Sequence, residues 1–264
     1  MNFRAYVGSA KMEMKNTLAY KANLVFYLTY VIIPPLAIFF LWSFILRDGK
    51  TIQTYDLTSM VTYFLITQLF VTNTPFSAWS EIGDGIRNGD LTLWLLKPID
   101  HYFLYLFRLV GSWIPLWITS FGGVAIVFLA LRHYIEFQSN IIVNLVTIIF
   151  WLGGIVFGFT LGYLFNLLAF WIDRSSGVLM LSSSAAYFLS GAVFPLDILP
   201  FKEIWLALPY KYCGFFPAQV YLGRVPNSEW PIEFVKLCSW ILITVIFTKI
   251  IWRIGIKRYQ AAGG

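Results

Sequence analysis

Residues 141–171 read IIVNLVTIIFWLGGIVFGFTLGYLFNLLAFW, without one Asp, Glu, Lys, Arg or His. A hydrocarbon core of about 30 Å is crossed by roughly 20 apolar residues in a helix. Inside lipid, a segment must also satisfy its own backbone N–H and C=O groups. The stretch therefore predicts a membrane-spanning helix. Five more segments have the same character, at 24–46, 57–78, 109–131, 177–196 and 234–252, separated by charged connectors. The expectation is an all-α membrane protein with six transmembrane helices, acting in or across a bilayer.

Composition points the same way. Hydrophobic residues make up 59% of the chain and charged residues 12%, against about 25% charged in soluble domains. Nothing of soluble-domain size remains between the spans, so residues 1–264 read as a single transmembrane domain. Cys213 and Cys238 lack any metal-ligand or redox spacing; a disulfide between them and two unpaired thiols both fit. A secretory leader is not expected. Arg4, Lys11, Glu13, Lys15 and Lys21 are spread too widely, and no small-residue cleavage site follows the first span.

Charge sets an expected orientation. With the N-terminus in the cytosol, twelve Lys and Arg fall inside and seven outside, the sense of the positive-inside bias. Acidic residues divide six inside and seven outside, leaving a basic inner face suited to anionic lipid. Both termini are then cytosolic in the cell inner membrane, and the basic surplus needs no nucleic acid to explain it. Ahead of the first span, residues 1–20 place Phe3, Tyr6, Val7, Ala10 and Met14 on one helical arc, with Arg4, Lys11 and Lys15 beside it. That pattern fits an N-terminal in-plane amphipathic helix on the cytosolic headgroups; the alternative is a disordered basic leader.

Catalytic groups are not gathered anywhere. His101 and His133 fall on opposite faces of the membrane, and no His or Lys sits mid-span to activate Ser182, Ser183 or Ser184. Serines in such helices pack closely or bond to backbone. Carboxylates are missing from span centres, against a proton- or sodium-coupled carrier. Arg108, Lys249 and Arg253 stand near span ends, where their heads can reach the cytosolic headgroups. Gly49-Lys50-Thr51 resembles the end of a phosphate loop, but the earlier glycine position is Phe44. No catalytic, cofactor-binding or metal residue is expected, and any uphill work needs energy from another subunit. Gly153, Gly154, Gly158 and Gly162 form a ridge for close helix approach, within the chain or between subunits. Pro34, Pro35 and Pro115 should bend or unwind their spans locally. Trp42, Trp79, Trp94, Trp113, Trp151 and Trp171 fit interfacial belts.

Two connectors carry the functional signal. Within the cytosolic stretch 79–101, Glu81, Asp84 and Arg87 recur at three-residue spacing as one charged edge, and Ile82 and Ile86 form an apolar knob beside it. Residues 91–96 add an apolar turn before Lys97-Pro98. A solvated hairpin is one reading; a surface that docks a partner fits the mixture better. The outer stretch holds Ser190, Gly191, Phe194, Pro195, Leu199, Pro200 and Pro209, and over 197–231 its prolines cut it into apolar pieces. These are expected to dip into the outer leaflet as a re-entrant helical pair between spans five and six.

At these residues the chain resembles the transmembrane subunit of type-2 ABC transporters, mostly bacterial exporters. The resemblance takes in the leader helix, six spans, the Glu81 to Asp90 segment, Ser190-Gly191 through Leu208-Pro209, and the tail from Arg258 to Gly264, which is similar to that of a branch of small bacterial permeases. It implies a permease paired with a second permease chain, as homodimer or related heterodimer, above two separate ABC-type ATPase subunits that bind ATP and Mg. It also implies a coupling helix at Glu81 to Asp90 and an outer gate formed by the re-entrant pair. Set against the family, no large inserted outer domain and no ATPase or carbohydrate-binding domain attached to the short tail is expected. The competing expectations are a non-transporting membrane protein, for immunity or for anchoring a complex, and an intramembrane hydrolase. Lipid-like, peptide and drug-like cargo all remain open.

Overall fold

The structure, a computed structural model, describes residues 3–76, 80–172 and 176–259. Residues 77–78 of the second expected span, Trp79, Arg174 and the tail residues 260–264 lie outside them. The helices are α1 Phe3–Ala19, α2 Lys21–Ile45, α3 Leu57–Thr72, α4 Ser80–Arg87, α5 Leu91–Leu95 and α6 His101–Ala130. They continue with α7 Ile141–Asn166, α8 Ser176–Leu189, α9 Lys202–Ala207, α10 Phe215–Tyr221 and α11 Trp230–Arg258. Among the described residues the chain is all-helical, apart from an isolated bridge between Ile52 and Tyr55.

Side-chain caps start the helices where the sequence offers them. The Ser59 N–H donates to Asp56 Oδ1 at 3.0 Å and the Asp56 N–H to Ser59 Oγ at 3.1 Å, a reciprocal cap on α3. Asp100 accepts from the Phe103 N–H at 3.1 Å to open α6, and Asn140 from the Ile142 N–H at 2.9 Å to open α7.

The six expected spans resolve into four helices of spanning length and two shorter apolar ones. Lys21–Ile45, His101–Ala130, Ile141–Phe170 and Asn227–Arg258 are long and apolar enough to cross a bilayer. Helix α3 has 16 residues, about 24 Å at 1.5 Å per residue. It stops because Asn73 Nδ2 donates to the Leu69 carbonyl (2.6 Å) and Thr74 Oγ1 to that of Phe70 (2.8 Å). Pro75 then disfavours helical backbone at Thr74. Every residue from Ser59 to Val71 is buried, so α3 is apolar all round for a protein environment rather than for lipid. Helix α8 has 14 residues and ends at Leu189, and the chain turns at Gly191, whose φ of +85° suits glycine.

Proline does not unwind the long helices: α2 runs as helix through Pro34 and Pro35, and α6 through Pro115. Thr119 Oγ1 donates to the Pro115 carbonyl at 2.9 Å. The glycines of α7 are used within the chain. A Cβ on Gly153 would lie 2.5 Å from Leu237, one on Gly158 2.5 Å from Thr74, and one on Gly154 would meet the Tyr212 carbonyl. Trp42 and Trp151 are core residues rather than belt residues, because both lie on faces turned to α3. Trp42 stacks on Phe64 (5.6 Å), and Trp151 stacks on Phe70 (5.1 Å) and donates to its carbonyl at 3.2 Å. The leader is helical and lies against the first half of α6, where Ala10 backbone abuts Gly111 and Tyr6 Oη accepts from the Asp100 N–H at 2.8 Å.

Candidate functional site

The charged connector folds as α4 and α5 across the end of the bundle. Ile82 is 1% exposed and Ile86 5%, packed with Leu91, Tyr105, Leu109, Phe159, Leu167 and Phe170. They are therefore not a knob offered outward; their i, i+4 pair is the face by which α4 is seated on its own chain. Burying two isoleucines is worth about 1.5–3 kcal/mol each, which compensates for the weak helix formers Gly83 and Gly85. The Gly83 N–H reaches Asn166 Oδ1 at 3.3 Å, and Asn166 Nδ2 donates to the Gly162 carbonyl at 2.9 Å, so α4 is also pinned to α7.

The charged edge faces out and is internally connected. Arg87 pairs with Asp84. Glu81 pairs with Arg108 at 3.0 Å, and Arg108 Nε donates to Glu13 at 2.7 Å. Arg108 thus joins α1, α4 and α6. Exposed apolar surface lies on α5 and its end instead, with Leu93 62% and Leu96 79% exposed. Lys97 Nζ sits 4.1 Å over the Trp94 ring. Between the two short helices is an open cleft of about 370 Å³, lined by Glu81, Asp84, Asp90, Leu93, Trp94 and Arg108 among others. The apolar run at 91–96 was the available signal for this surface.

At the other connector, Ser190 and Gly191 turn the chain from α8 back into the bundle. Tyr63 Oη donates to the Gly191 carbonyl at 2.7 Å, and the Phe215 N–H to the Ser190 carbonyl at 2.8 Å. Pro195 and Pro209 are buried, Leu199 packs against the core, and Phe194 and Pro200 are exposed. Pro200 accepts from Trp205 Nε1 at 2.8 Å. Helix α10 is buried against α3 and α7.

Two polar clusters unseen in the sequence hold this segment. Glu233 receives Lys211 Nζ (2.6 Å), Tyr212 Oη (2.8 Å) and Lys236 Nζ (2.7 Å). Burial pushes the Lys211 ammonium down from its ordinary value, and the Glu233 contact opposes that. Tyr55 Oη donates to Asp197 at 3.0 Å, accepts from Gln219, and has Arg224 stacked 3.8 Å from its ring centre. Burial raises the Asp197 carboxyl, and the Tyr55 hydrogen bond partly reverses this. An open cleft of about 790 Å³ lies between the clusters.

Among the described residues no group of His, Cys, Asp and Glu could hold a metal. His101, bonded to Tyr163 at 2.8 Å, opens α6, and His133 lies beyond its far end. Ser182 and Ser183 donate to the Leu179 and Met180 carbonyls. Cys213 is buried and Cys238 exposed, both as free thiols. No curated protein matches the chain. A family model described as "ABC-2 family transporter protein" matches residues 12–263, which takes in all the long apolar helices and both connectors. Permeases of that family associate in general with ABC-type ATPase subunits. With nearly its whole length matched, and helices built to cross a bilayer repeatedly, this chain belongs to the ABC-2 transporter family as a multi-pass permease component.

Proposed function

We propose that this chain is the permease half of an ATP-driven exporter. It pairs with a second permease chain, identical or related, and two separate ATPase subunits carrying ATP and Mg dock on the α4–α5 face. The observation that carries the reading is the seat of α4. Its inner face is buried, its backbone is bonded to α7, and Glu81 is tied through Arg108 to α6 and α1. A displacement of α4 by a docked ATPase is therefore passed to several helices together, as rearrangement between two packed states requires. The docking surface comprises the Glu81, Asp84 and Arg87 edge with Leu93 and Leu96, rather than Ile82 and Ile86.

In this reading α3 and α8 complete six crossings, α1 lies along the cytosolic headgroups, and both termini are cytosolic in the inner membrane. The buried α10 and the Pro209 turn form the outer gate as a re-entrant element. Family membership favours this reading over a non-transporting immunity or anchoring protein. Co-expression with the cognate ATPase tests it: the two should copurify, and the permease alone should hydrolyse no ATP. Turnover by the isolated chain, or failure to copurify with any ATPase that supports export, would overturn the assignment.

A further inference from the structure

A groove separates the start of α6 from the last turns of α11, with α7 beneath it. It encloses about 500 Å³. Val245, Thr248, Lys249, Trp252 and Arg253 line one side, the i, i+3, i+4, i+7, i+8 stripe of one helix face. Phe103 and Leu106 of α6 and Val156 of α7 supply apolar surface opposite and below. From Val245 to Arg253 the stripe runs about 12 Å at 1.5 Å per residue. One end of the groove is therefore charged and the other greasy.

The remaining polar atoms are already used. His101 Nδ1 and Tyr163 Oη share a hydrogen bond at 2.8 Å, and the His101 ring stacks on Trp252 with centroids 4.8 Å apart. Thr248 Oγ1 donates to the Thr244 carbonyl at 2.8 Å. Asp100, the carboxylate on the wall, accepts from the Phe103 N–H as the α6 cap. Lys249 and Arg253 are exposed, and among the described residues neither has a carboxylate within ion-pair distance. Two cations one turn apart, above an apolar trough, match a phosphodiester with an acyl chain below it. The guanidinium can take both non-bridging phosphate oxygens at once, and the ammonium can share one of them. Two cations against one carboxylate leave the mouth net positive. That favours a lipid of net negative charge over a zwitterionic one, whose ammonium group would meet the same cations. Basic pockets between membrane helices recognise lipid headgroups in this way.

We infer that this groove binds an anionic phospholipid, its phosphate held between Lys249 and Arg253 and an acyl chain laid along Leu106, Val156 and Val245. The lipid fills the seam between α6 and α11 and binds whatever the direction of transport. The test is native mass spectrometry of the purified chain incubated with equimolar dioleoylphosphatidylglycerol and dioleoylphosphatidylcholine. The wild-type chain retains phosphatidylglycerol preferentially. Lys249→Gln with Arg253→Gln lowers that preference by about 25-fold, roughly fivefold per cation. Val245→Trp, which fills the apolar end and keeps both cations, lowers retention of both lipids. Because preference is read as a ratio on the same molecules, a general loss of stability does not imitate it. Equal retention of the two lipids by the wild type, an unchanged ratio in the double variant, or undiminished retention in Val245→Trp would each overturn the inference.

Discussion

Ile86→Ala separates an inward-facing α4 from an outward-facing one. Ile86 is 5% exposed and shares its pocket with Ile82, Tyr105, Leu109 and Phe170. Truncation removes most of a buried aliphatic side chain and leaves a void between helices that cannot close around it, a change that costs about 2–5 kcal/mol. Helix α4 has eight residues, two of them glycine, so its local opening free energy is small compared with that of the bundle. A loss of about 2 kcal/mol raises the open population of the segment roughly 30-fold. Hydrogen-exchange mass spectrometry of peptides covering residues 81–90 reads this directly, with peptides from α7 as internal reference. The expected result is loss of protection confined to α4 and α5, with the bundle still folded. Leu96→Asp, at a position 79% exposed, should leave protection unchanged and instead weaken association with the ATPase. Unaltered exchange in Ile86→Ala with a fall in ATPase association would show instead that Ile86 faces the partner, against an inward-facing α4.

Arg87→Glu places a third negative charge beside Glu81 and Asp84 on the exposed edge. It should lower ATPase copurification with membrane insertion unchanged, checked by pull-down at two salt concentrations. Glu233→Gln leaves Lys211 buried without its counter-charge, a loss of about 3–5 kcal/mol visible as a lower unfolding temperature; Lys211→Met combined with Glu233→Leu should recover most of it. Burial raises the Asp197 carboxyl, so the folded protein takes up that proton more readily than the unfolded chain. Its contribution to stability is thus fullest at low pH and is lost as pH rises through the folded value. Asp197→Asn should flatten that part of the thermal-stability profile measured against pH. In a background free of Cys213 and Cys238, cysteines at Asn88 and Lys202 should label from opposite sides of the membrane; labelling from one side would discard the proposed orientation.

The helix ends show where local reading stops. The apolar run at 57–78 promises a span, but Asn73 and Thr74 turn back onto carbonyls of the same helix and close it at Thr72. Those polar residues could be seen in the chain. Their bonding to the helix end could not, since Asn73 is also held by Tyr27 (3.1 Å) and Ser120 (2.8 Å) from two other helices. Arg108 was visible as a charge near a span end. Its partners, Glu13 and Glu81, are far away in sequence and meet it only once α1 and α4 have packed on α6.

Residence in a membrane was decided by the sequence alone, because the length and purity of an apolar run are local properties that the thickness of the bilayer tests directly. The family could be read from it too. Which way α4 faces was not a local property. Its isoleucine pair and charged edge make an amphipathic helix that could turn either side to the bundle. The tertiary structure chose, because a pocket of Tyr105, Leu109, Phe159 and Phe170 waits on one side and accepts isoleucine but not charge. Lys211 and Glu233 follow the same logic: two ions 22 residues apart leave water only where folding brings them together and Tyr212 and Lys236, their own neighbours in the chain, satisfy what remains.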